Sequence, residues 1–252
     1  MRKAITSLLS ADTPRHIHIF DTLPSTNSTL RDLAEAGAPH GTAVIARMQT
    51  AGRGRLGRSF ASPRDAGLYI SMLLRCDIPT ARLPLLTPYA AVAAAHAVES
   101  VSAVAVGIKW VNDLRIGEKK VAGILTEGGF SPEGGLSYAI VGIGINLLPS
   151  ALPPELSGIA TAIGEHTAPP SLAKMAAALL DRFYLELPSF RDGTFLEEYR
   201  RRSVVIGRYV RATDGEREII GIAEAIEDDG TLRLATDEGT VFLHAGEVSI
   251  KM

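Results

Sequence analysis

The segment that most restricts the fold of this chain is a run of glycines and arginines, QTAGRGRLGR, at residues 49–58, called the arginine loop below. It has no apolar period and follows a strand-like run at 43–48, which predicts a loop after a strand. Its glycines match G-x-G-x-x-G, and residues 52–59 match a phosphate-binding loop with arginine in place of the central lysine. Both nucleotide-binding folds require a helix directly after the loop. Residues 59–67 contain a proline and a glycine and show no helical period, which excludes both folds.

Arg53, Arg55 and Arg58 alternate with the glycines of the arginine loop. Glycine lets backbone amides approach a ligand closely, and arginine adds fixed charge and bidentate hydrogen bonding to carboxylate or phosphate. The three cations repel one another when no ligand is present, which favours an open, mobile loop that closes over an anion. A solvated surface loop whose arginines pair with nearby acids is an equally good interpretation of the composition alone.

The first two hundred residues alternate between strand-like and helical patterns. Apolar runs predict strands at 16–20, 43–48, 68–74, 104–110, 120–127 and 138–147. Capping residues and helical spacing predict helices after Ser25, from Thr87 to about Ser100, from Ser171 through Leu187, and around 195–199.

The pattern changes after Arg202. From there, short apolar runs are separated by turn signals at Asp214-Gly215, Asp229-Gly230 and Glu238-Gly239. These runs indicate a small all-β unit at the C-terminal end. The sequence therefore predicts two domains, at residues 1–202 and 203–252.

Composition removes several classes of protein. Hydrophobic residues make up 46% of the 252 residues and the formal net charge is −2, which excludes a disordered chain and a globally basic nucleic-acid-binding surface. The one cysteine, Cys76, excludes an internal disulfide and a cysteine-based zinc site, and we interpret it as a small apolar side chain rather than a thioester nucleophile. The longest apolar run, 89–98, is too short to span a bilayer, and no secretory signal is recognisable, which predicts a cytoplasmic protein.

Two further clusters place polar groups at strand ends. KWVND at 109–113 sets a lysine beside an amide and a carboxylate, either to hold an anion or a metal or to end a strand in an Asn-Asp turn. GIGIN at 142–146 puts two glycines inside a strand, which indicates close approach by a ligand or by another part of the chain. With a ligand there, Asn146 would lie at the rim of a pocket, but the glycines alone favour tight packing.

Five motifs, in chain order, resemble those of the biotin protein ligases, and the resemblance covers nearly the whole sequence. They are Ser25-Thr26-Asn27, QxxGRGRxGR at 49–58, KWxND at 109–113, KxxGIL at 120–125 and GxGxN at 142–146. Val111 stands where the family has proline, and Phe60 stands where many members have tryptophan. Only about sixteen residues precede the first predicted strand, too few for the winged helix-turn-helix of members that repress transcription, so we expect a monofunctional ligase.

The resemblance implies an α+β fold: a mixed β-sheet with flanking helices of the class II synthetase type, followed by a small C-terminal SH3-like β-barrel. It implies a ligase that converts biotin and ATP into biotinyl-5′-adenylate and pyrophosphate, then transfers biotin to one lysine of a biotin carboxyl carrier domain. Mg²⁺ would accompany ATP, with no tightly bound protein metal. No DNA or membrane partner is expected, and a homodimer formed by pairing of exposed strand edges is left open.

Carried over position by position, the resemblance assigns residues to each part of this reaction. Arg55 and Lys109 are the catalytic candidates, bridging the biotin carboxylate and the α-phosphate. The biotin-binding candidates are Ser25, Thr26, Asn27, Gln49, Gly52, Arg53, Gly54, Arg55, Lys109 and Gly123. The ATP-binding candidates are Arg53, Arg55, Arg58, Phe60, Lys109, Asn112, Lys120 and Asn146. Asp113 is the one candidate metal ligand.

Two rival functions remain open at this stage. A lipoate or octanoate ligase belongs to the same broad fold group, although the arginine loop and the KWxND motif favour biotin. A non-enzymatic nucleic-acid-binding protein could use the arginine loop as its basic patch, but the net negative charge argues against it.

Overall fold

The computed structural model describes residues 1–75, 78–149, 153–214 and 217–250. The interpretation of Cys76 and the turn predicted at Gly215 therefore concern positions outside the described residues.

The apolar runs of the first half of the chain assemble into a seven-stranded sheet. Its strands are β1 Ile17–Phe20, β2 Ala43–Ala46, β3 Gly67–Leu74, β4 Gly107–Lys109, β5 Asp113–Ile116, β6 Lys119–Phe130 and β7 Leu136–Asn146. Their spatial order is β1-β2-β3-β7-β6-β5-β4. The β1–β2 pair is parallel and the other neighbours are antiparallel, so the sheet is mixed.

Helices cover the sheet. In the described residues they are α1 Arg2–Thr6, α2 Thr26–Glu35, α3 Leu86–Ser102, α4 Leu172–Leu185, α5 Leu187–Asp192 and α6 Phe195–Arg201. Helix α3 is rich in alanine and buried on most sides, because it lies between the sheet and helices α4 and α6. None of the described helices is both long enough and apolar enough to cross a bilayer.

Two core layers lie on opposite faces of the sheet, because successive residues of a strand point to opposite sides. From β3, Ile70 and Met72 enter the large core with α3 and α4, whereas Leu73 packs with Leu30 of α2. Helix α2 covers only part of its face of the sheet. The uncovered part of that face carries the cavity described below.

Five more strands form a C-terminal antiparallel sheet in the order β11-β10-β9-β8-β12. They are β8 Tyr209–Asp214, β9 Arg217–Ile226, β10 Leu232–Thr236, β11 Gly239–Leu243 and β12 Glu247–Ile250. The C-terminal part contacts strand β4 and its end. Val204 N donates to Ile108 O at 2.9 Å, and the indole of Trp110 donates to Gly230 O at 2.9 Å. The predicted α+β fold class, a mixed sheet with helices followed by a small β unit, is confirmed.

Several local predictions were wrong. Helix α3 begins at Leu86 and continues from a 3₁₀ turn, so Thr87 is not its cap. The strand predicted over 104–110 is only three residues long, and β5 was not predicted because polar side chains interrupt its apolar pattern. The helix predicted through Leu187 ends at Leu185 and a separate short helix follows, while the N-terminal helix α1 had no predicted counterpart.

Candidate active site

A cavity of about 740 Å³ opens on the face of the sheet that α2 leaves uncovered. Nearly all the residues selected from the sequence line it: Ser25, Thr26, Asn27, Gln49, Arg53, Gly54, Arg55, Arg58, Phe60, Lys109, Asn112, Asp113, Lys120, Gly123 and Asn146. Gly52, a predicted biotin contact, is not among the lining residues. A Cβ at Gly52 would lie 2.3 Å from Phe60 O and 2.7 Å from Ser62 Oγ, so this glycine lets the arginine loop pack closely against the segment that follows it.

One end of the cavity is a neutral, buried hydrogen-bond network at the start of α2. Gln49 Oε1 accepts from the backbone N and the hydroxyl of Thr26 at 2.8 and 3.1 Å. Gln49 Nε2 donates to Ser62 Oγ at 2.8 Å, and the hydroxyl of Ser71 donates to Asn27 Oδ1 at 2.6 Å. Thr26 and Asn27 are 4% and 3% exposed, so the network is held in place before any ligand arrives.

The floor between the two ends of the cavity is made of glycines on β6 and β7. A Cβ on Gly142 would lie 2.1 Å from Asn27 Oδ1, and one on Gly144 would lie 2.4 Å from the ring of Phe60. The ring of Phe60 also contacts Tyr69 edge-on, with centroids 6.5 Å apart. Close approach by side chains therefore explains the glycines, which is the tight-packing interpretation of their pattern.

The other end of the cavity is cationic. Burial lowers the pKa of Lys109, and the nearby carboxylate of Asp113 partly offsets that effect. Asp113 itself pairs with Lys120, whose Nζ lies 2.6 Å from Oδ1. Among the described residues no carboxylate forms an ion pair with Lys109, so its charge is available to an anion in the cavity.

Each arginine of the arginine loop has a distant partner. Arg53 pairs with Glu127 of β6 at 2.8 Å, and Arg58 pairs with Glu247 of β12. Arg55 donates to Asn112 Oδ1 and to the backbone oxygen of Gly246, both at 3.3 Å, and burial lowers its pKa. The mutual repulsion expected of the three cations is thus offset, and the loop lies closed over the cavity rather than open.

The side chain of Asn146 binds the segment 156–161, which forms an apolar edge of the cavity and is called the lip below. Its side-chain amide donates to Thr161 O at 3.0 Å. The same segment pairs with the start of β6, where Lys120 N donates to Ile159 O at 2.9 Å. Leu156, Ile159 and Ala160 of this segment line the cavity. Sequence analysis missed this lip, because it lies in the loop-rich stretch between β7 and α4, which carries no motif.

A metal ion held by the protein alone does not fit the ligands that the described residues provide. The described residues contain no group of three or more histidines, cysteines or acids able to hold an ion. The carboxylate of Asp113, the candidate ligand, is already paired with Lys120. The arrangement suits an elongated ligand with a neutral polar head, whose negatively charged tail meets a second anion at the cationic end.

Comparison with known proteins identifies the class to which this fold and cavity belong. Residues 19–146 match the model of the Biotin/lipoate A/B protein ligase family, and residues 205–251 match that of the Biotin protein ligase C terminal domain. The chain therefore belongs to the biotin/lipoate A/B protein ligase family. Within that family the match at the C-terminal end and the relatives below make it a biotin protein ligase, and hence an enzyme.

The relatives are similar over most of this chain. Bifunctional ligase/repressor BirA of Bacillus subtilis is 34% identical over 94% of the chain and 74% of its own length. Biotin--[acetyl-CoA-carboxylase] ligase of Mycobacterium tuberculosis is 32% identical over 93% of the chain and 88% of its own length. The structure of biotin protein ligase from Aquifex aeolicus in complex with biotin and ATP matches with a TM-score of 0.79 at 29% identity, covering 94% of this chain and 98% of that one. These similarities support biotin ligation as the activity.

Proposed function

We propose that this protein activates biotin with ATP as biotinyl-5′-adenylate and transfers the biotinyl group to a lysine of a biotin carboxyl carrier domain. The observation that carries the proposal is that one cavity joins a neutral hydrogen-bonding end to a cationic end. The structural relative from Aquifex aeolicus was solved with biotin and ATP, and the relative from Mycobacterium tuberculosis is named as a ligase acting on acetyl-CoA carboxylase. Both support the choice of substrates.

The neutral end suits the ureido ring of biotin, which is polar but uncharged. Ser25, Thr26 and Gln49 would hydrogen-bond the ring, with Asn27 orienting the network. Gly54 and Gly123 would lie beside the ring and the chain of biotin, and Arg53, which lines the same cavity and pairs with Glu127, would contribute to their binding. Few groups here must reorient on binding, since the described hydrogen bonds already fix them.

The first step joins two anions, so its barrier is mainly electrostatic. An oxygen of the biotin carboxylate attacks the α-phosphorus of ATP, and the bond to the bridging oxygen breaks with release of pyrophosphate. Negative charge grows at the α-phosphate in the transition state, and preorganised cations at that point lower the barrier. Lys109 and Arg55 are partly buried cations that both line the cavity, and we assign this role to them.

Other residues of the cationic end would hold the nucleotide. Arg58 and Lys120 supply charge, Asn112 and Asn146 supply amides, and Phe60 forms the floor beneath the nucleotide. Mg²⁺ would arrive with ATP as its counter-ion and neutralise part of the charge on its phosphates. In the second step the amine of the acceptor lysine attacks the carbonyl carbon of the mixed anhydride, and AMP leaves.

The proposal also includes the location, the protein partner and the domain bounds of the enzyme. We propose a cytoplasmic enzyme whose protein partner is a biotin carboxyl carrier domain and which has no repressor function and no DNA or membrane partner. Its catalytic part would comprise residues 1–202 and its β domain residues 203–252. Strand β1 lies at one edge of the large sheet and offers a strand edge for pairing into a homodimer.

Transfer to an isolated carrier domain tests this function. The purified protein, ATP and Mg²⁺ are incubated with the carrier domain and either biotin or lipoate, and the mass of the acceptor is measured. We expect a biotinyl mass increase on one lysine and no lipoyl product. Lipoylation without biotinylation would assign the chain to the rival ligase activity, and no modification with either acid would contradict the proposal.

A further inference from the structure

Arg115, on strand β5, lines the same cavity but lies outside all five motifs. Its side chain is 17% exposed, and Nη1 donates to Glu118 O at 2.8 Å. Glu118 Oε2 lies 3.7 Å away, but that side chain is 77% exposed, so solvent screens its charge. The Nε of Arg115 is buried and has no hydrogen-bond partner among the described residues. A buried donor without a partner in the protein is normally satisfied by a bound water or by a ligand.

The wall around Arg115 carries more positive than negative charge. Arg115 is the register partner of Lys120 on β6 and lies two residues from Asp113, so the three side chains share one face of the sheet. Asp113 is paired with Lys120, and the charges of both Arg115 and Lys120 lower the pKa of Lys109, though less than burial does. Lys109, Arg115 and Lys120 lie near Asp113, while Glu118 is largely exposed and Glu247 affects Lys109 less than either neighbouring cation does. The balance of charge makes this wall suited to a polyanion.

We infer that Arg115 binds the terminal phosphates of ATP and the pyrophosphate released from them. This inference rests on the proposed function and adds a residue to it. Asp113 of β5 is the register partner of Lys109 of β4. Arg115 lies two residues further along β5 on the same face, a distance of about 6.6 Å between the two Cα atoms. We therefore place the β- and γ-phosphates on the side of Arg115, beyond the α-phosphate assigned to Lys109. The planar guanidinium can bind two phosphate oxygens through a fixed pair of parallel N–H groups, a geometry that the ammonium of lysine does not provide.

If Arg115 contacts the terminal phosphates, its loss should weaken the binding of ATP more than that of AMP. A non-specific loss of positive charge would not distinguish the two nucleotides in this way. ATP and pyrophosphate carry the groups that Arg115 would contact, whereas AMP lacks them. Binding of ATP, AMP and inorganic pyrophosphate is therefore measured by calorimetry on the wild-type protein, Arg115→Met and Arg115→Lys. The matched control is Arg211→Met, which removes an arginine paired with Glu218 at 3.0 Å on the C-terminal sheet.

We expect Arg115→Met to weaken ATP and pyrophosphate binding by about tenfold to a hundredfold, the range for losing a hydrogen bond to a charged group. AMP binding should change less than about twofold on the same scale. Arg115→Lys should recover part of the loss, and Arg211→Met should change none of the three affinities. Thermal unfolding of each variant verifies that it is folded.

Two results would overturn the inference. An equal loss of affinity for ATP and AMP would mean that Arg115 contacts the α-phosphate or the nucleoside. Unchanged ATP binding in Arg115→Met would mean that the buried Nε is satisfied by water and not by ATP. Neither readout requires biotin. A wild-type protein that binds ATP more tightly than AMP but forms no biotinyl-adenylate would therefore contradict the proposed function and leave the assignment of Arg115 intact.

Discussion

Replacing Gly142 by alanine tests whether glycine is required at this position of β7 so that the side chain of Asn27 can pack against the strand. The new Cβ would lie 2.1 Å from Oδ1 and 2.9 Å from Cγ of Asn27, whereas real Cβ contacts are essentially never under 3.0 Å. Asn27 must therefore shift by roughly 0.9 Å, the difference between 3.0 and 2.1 Å. It cannot do so without leaving its partners, because its side chain is almost fully buried between strands and helix.

The cost follows from the hydrogen bonds that the shift breaks. Asn27 Oδ1 accepts from Ser71 at 2.6 Å, and Nδ2 donates to the carboxylate of Glu127 at 2.8 Å. A neutral hydrogen bond contributes about 1 kcal/mol and one to a charged group about 2 kcal/mol. Full loss of both would correspond to more than a hundredfold in affinity, at about 1.4 kcal/mol for each factor of ten. Because the main chain can relax, we expect KM for biotin to rise about tenfold to a hundredfold.

The assay is pyrophosphate release at saturating ATP over a range of biotin concentrations. Gly135→Ala is the matched control, since its new Cβ would meet only Ser131 Oγ, at 3.7 Å. The double variant Asn27→Ala/Gly142→Ala should lose little more than Asn27→Ala alone, because the clash disappears with the side chain. Additive losses, or an unchanged KM in Gly142→Ala, would refute the reasoning.

Glu247→Gln should speed tryptic cleavage of the arginine loop in the free protein, because it weakens the pairing that Arg58 of the closed loop makes with residue 247. Biotin plus ATP should slow cleavage by adding contacts to the loop, and equal rates with and without ligand would contradict a loop that binds these ligands. His96 contacts Glu186 and Glu198, and the hydrogen bond to Glu186 raises its pKa. The stability that this proton confers is complete below pH about 6.5 and is lost as pH rises through the raised pKa. His96→Gln should therefore lower the thermal midpoint more at pH 6 than at pH 9, and equal shifts would contradict this. In a low-salt gel shift we expect no DNA complex that survives competitor, because the net charge is −2.

The residues that face the cavity could be predicted because each lies in a short motif at a strand end or loop. Lys109 and Asn112 are three residues apart in sequence and both line the cavity. The strands were predictable where both faces are buried, as in β3. β5 was missed because one face of this strand is polar and lines the cavity, so its sequence lacks the apolar pattern of a core strand.

The partners of the site residues could not be predicted, because they come from distant segments without a local signal. Glu127 accepts from Asn27, Arg31 and Arg53, which belong to two other parts of the chain. Glu247, which pairs with Arg58, lies 189 residues away in sequence. Composition alone therefore left open whether the arginines meet acids or a ligand. The structure pairs two of them with acids while all three still line the cavity.

The central claim is that Lys109 is a preorganised cation for adenylate formation, and single-turnover pyrophosphate release at saturating biotin and ATP tests it most directly. Lys119→Ala is the control, since that lysine is not among the residues lining the cavity and donates to Ser157 O at 2.7 Å. We predict that Lys109→Ala lowers the rate at least about a hundredfold, the scale of losing one transition-state charge stabiliser, while Lys119→Ala does not. A rate near that of the wild type in folded Lys109→Ala would contradict the account.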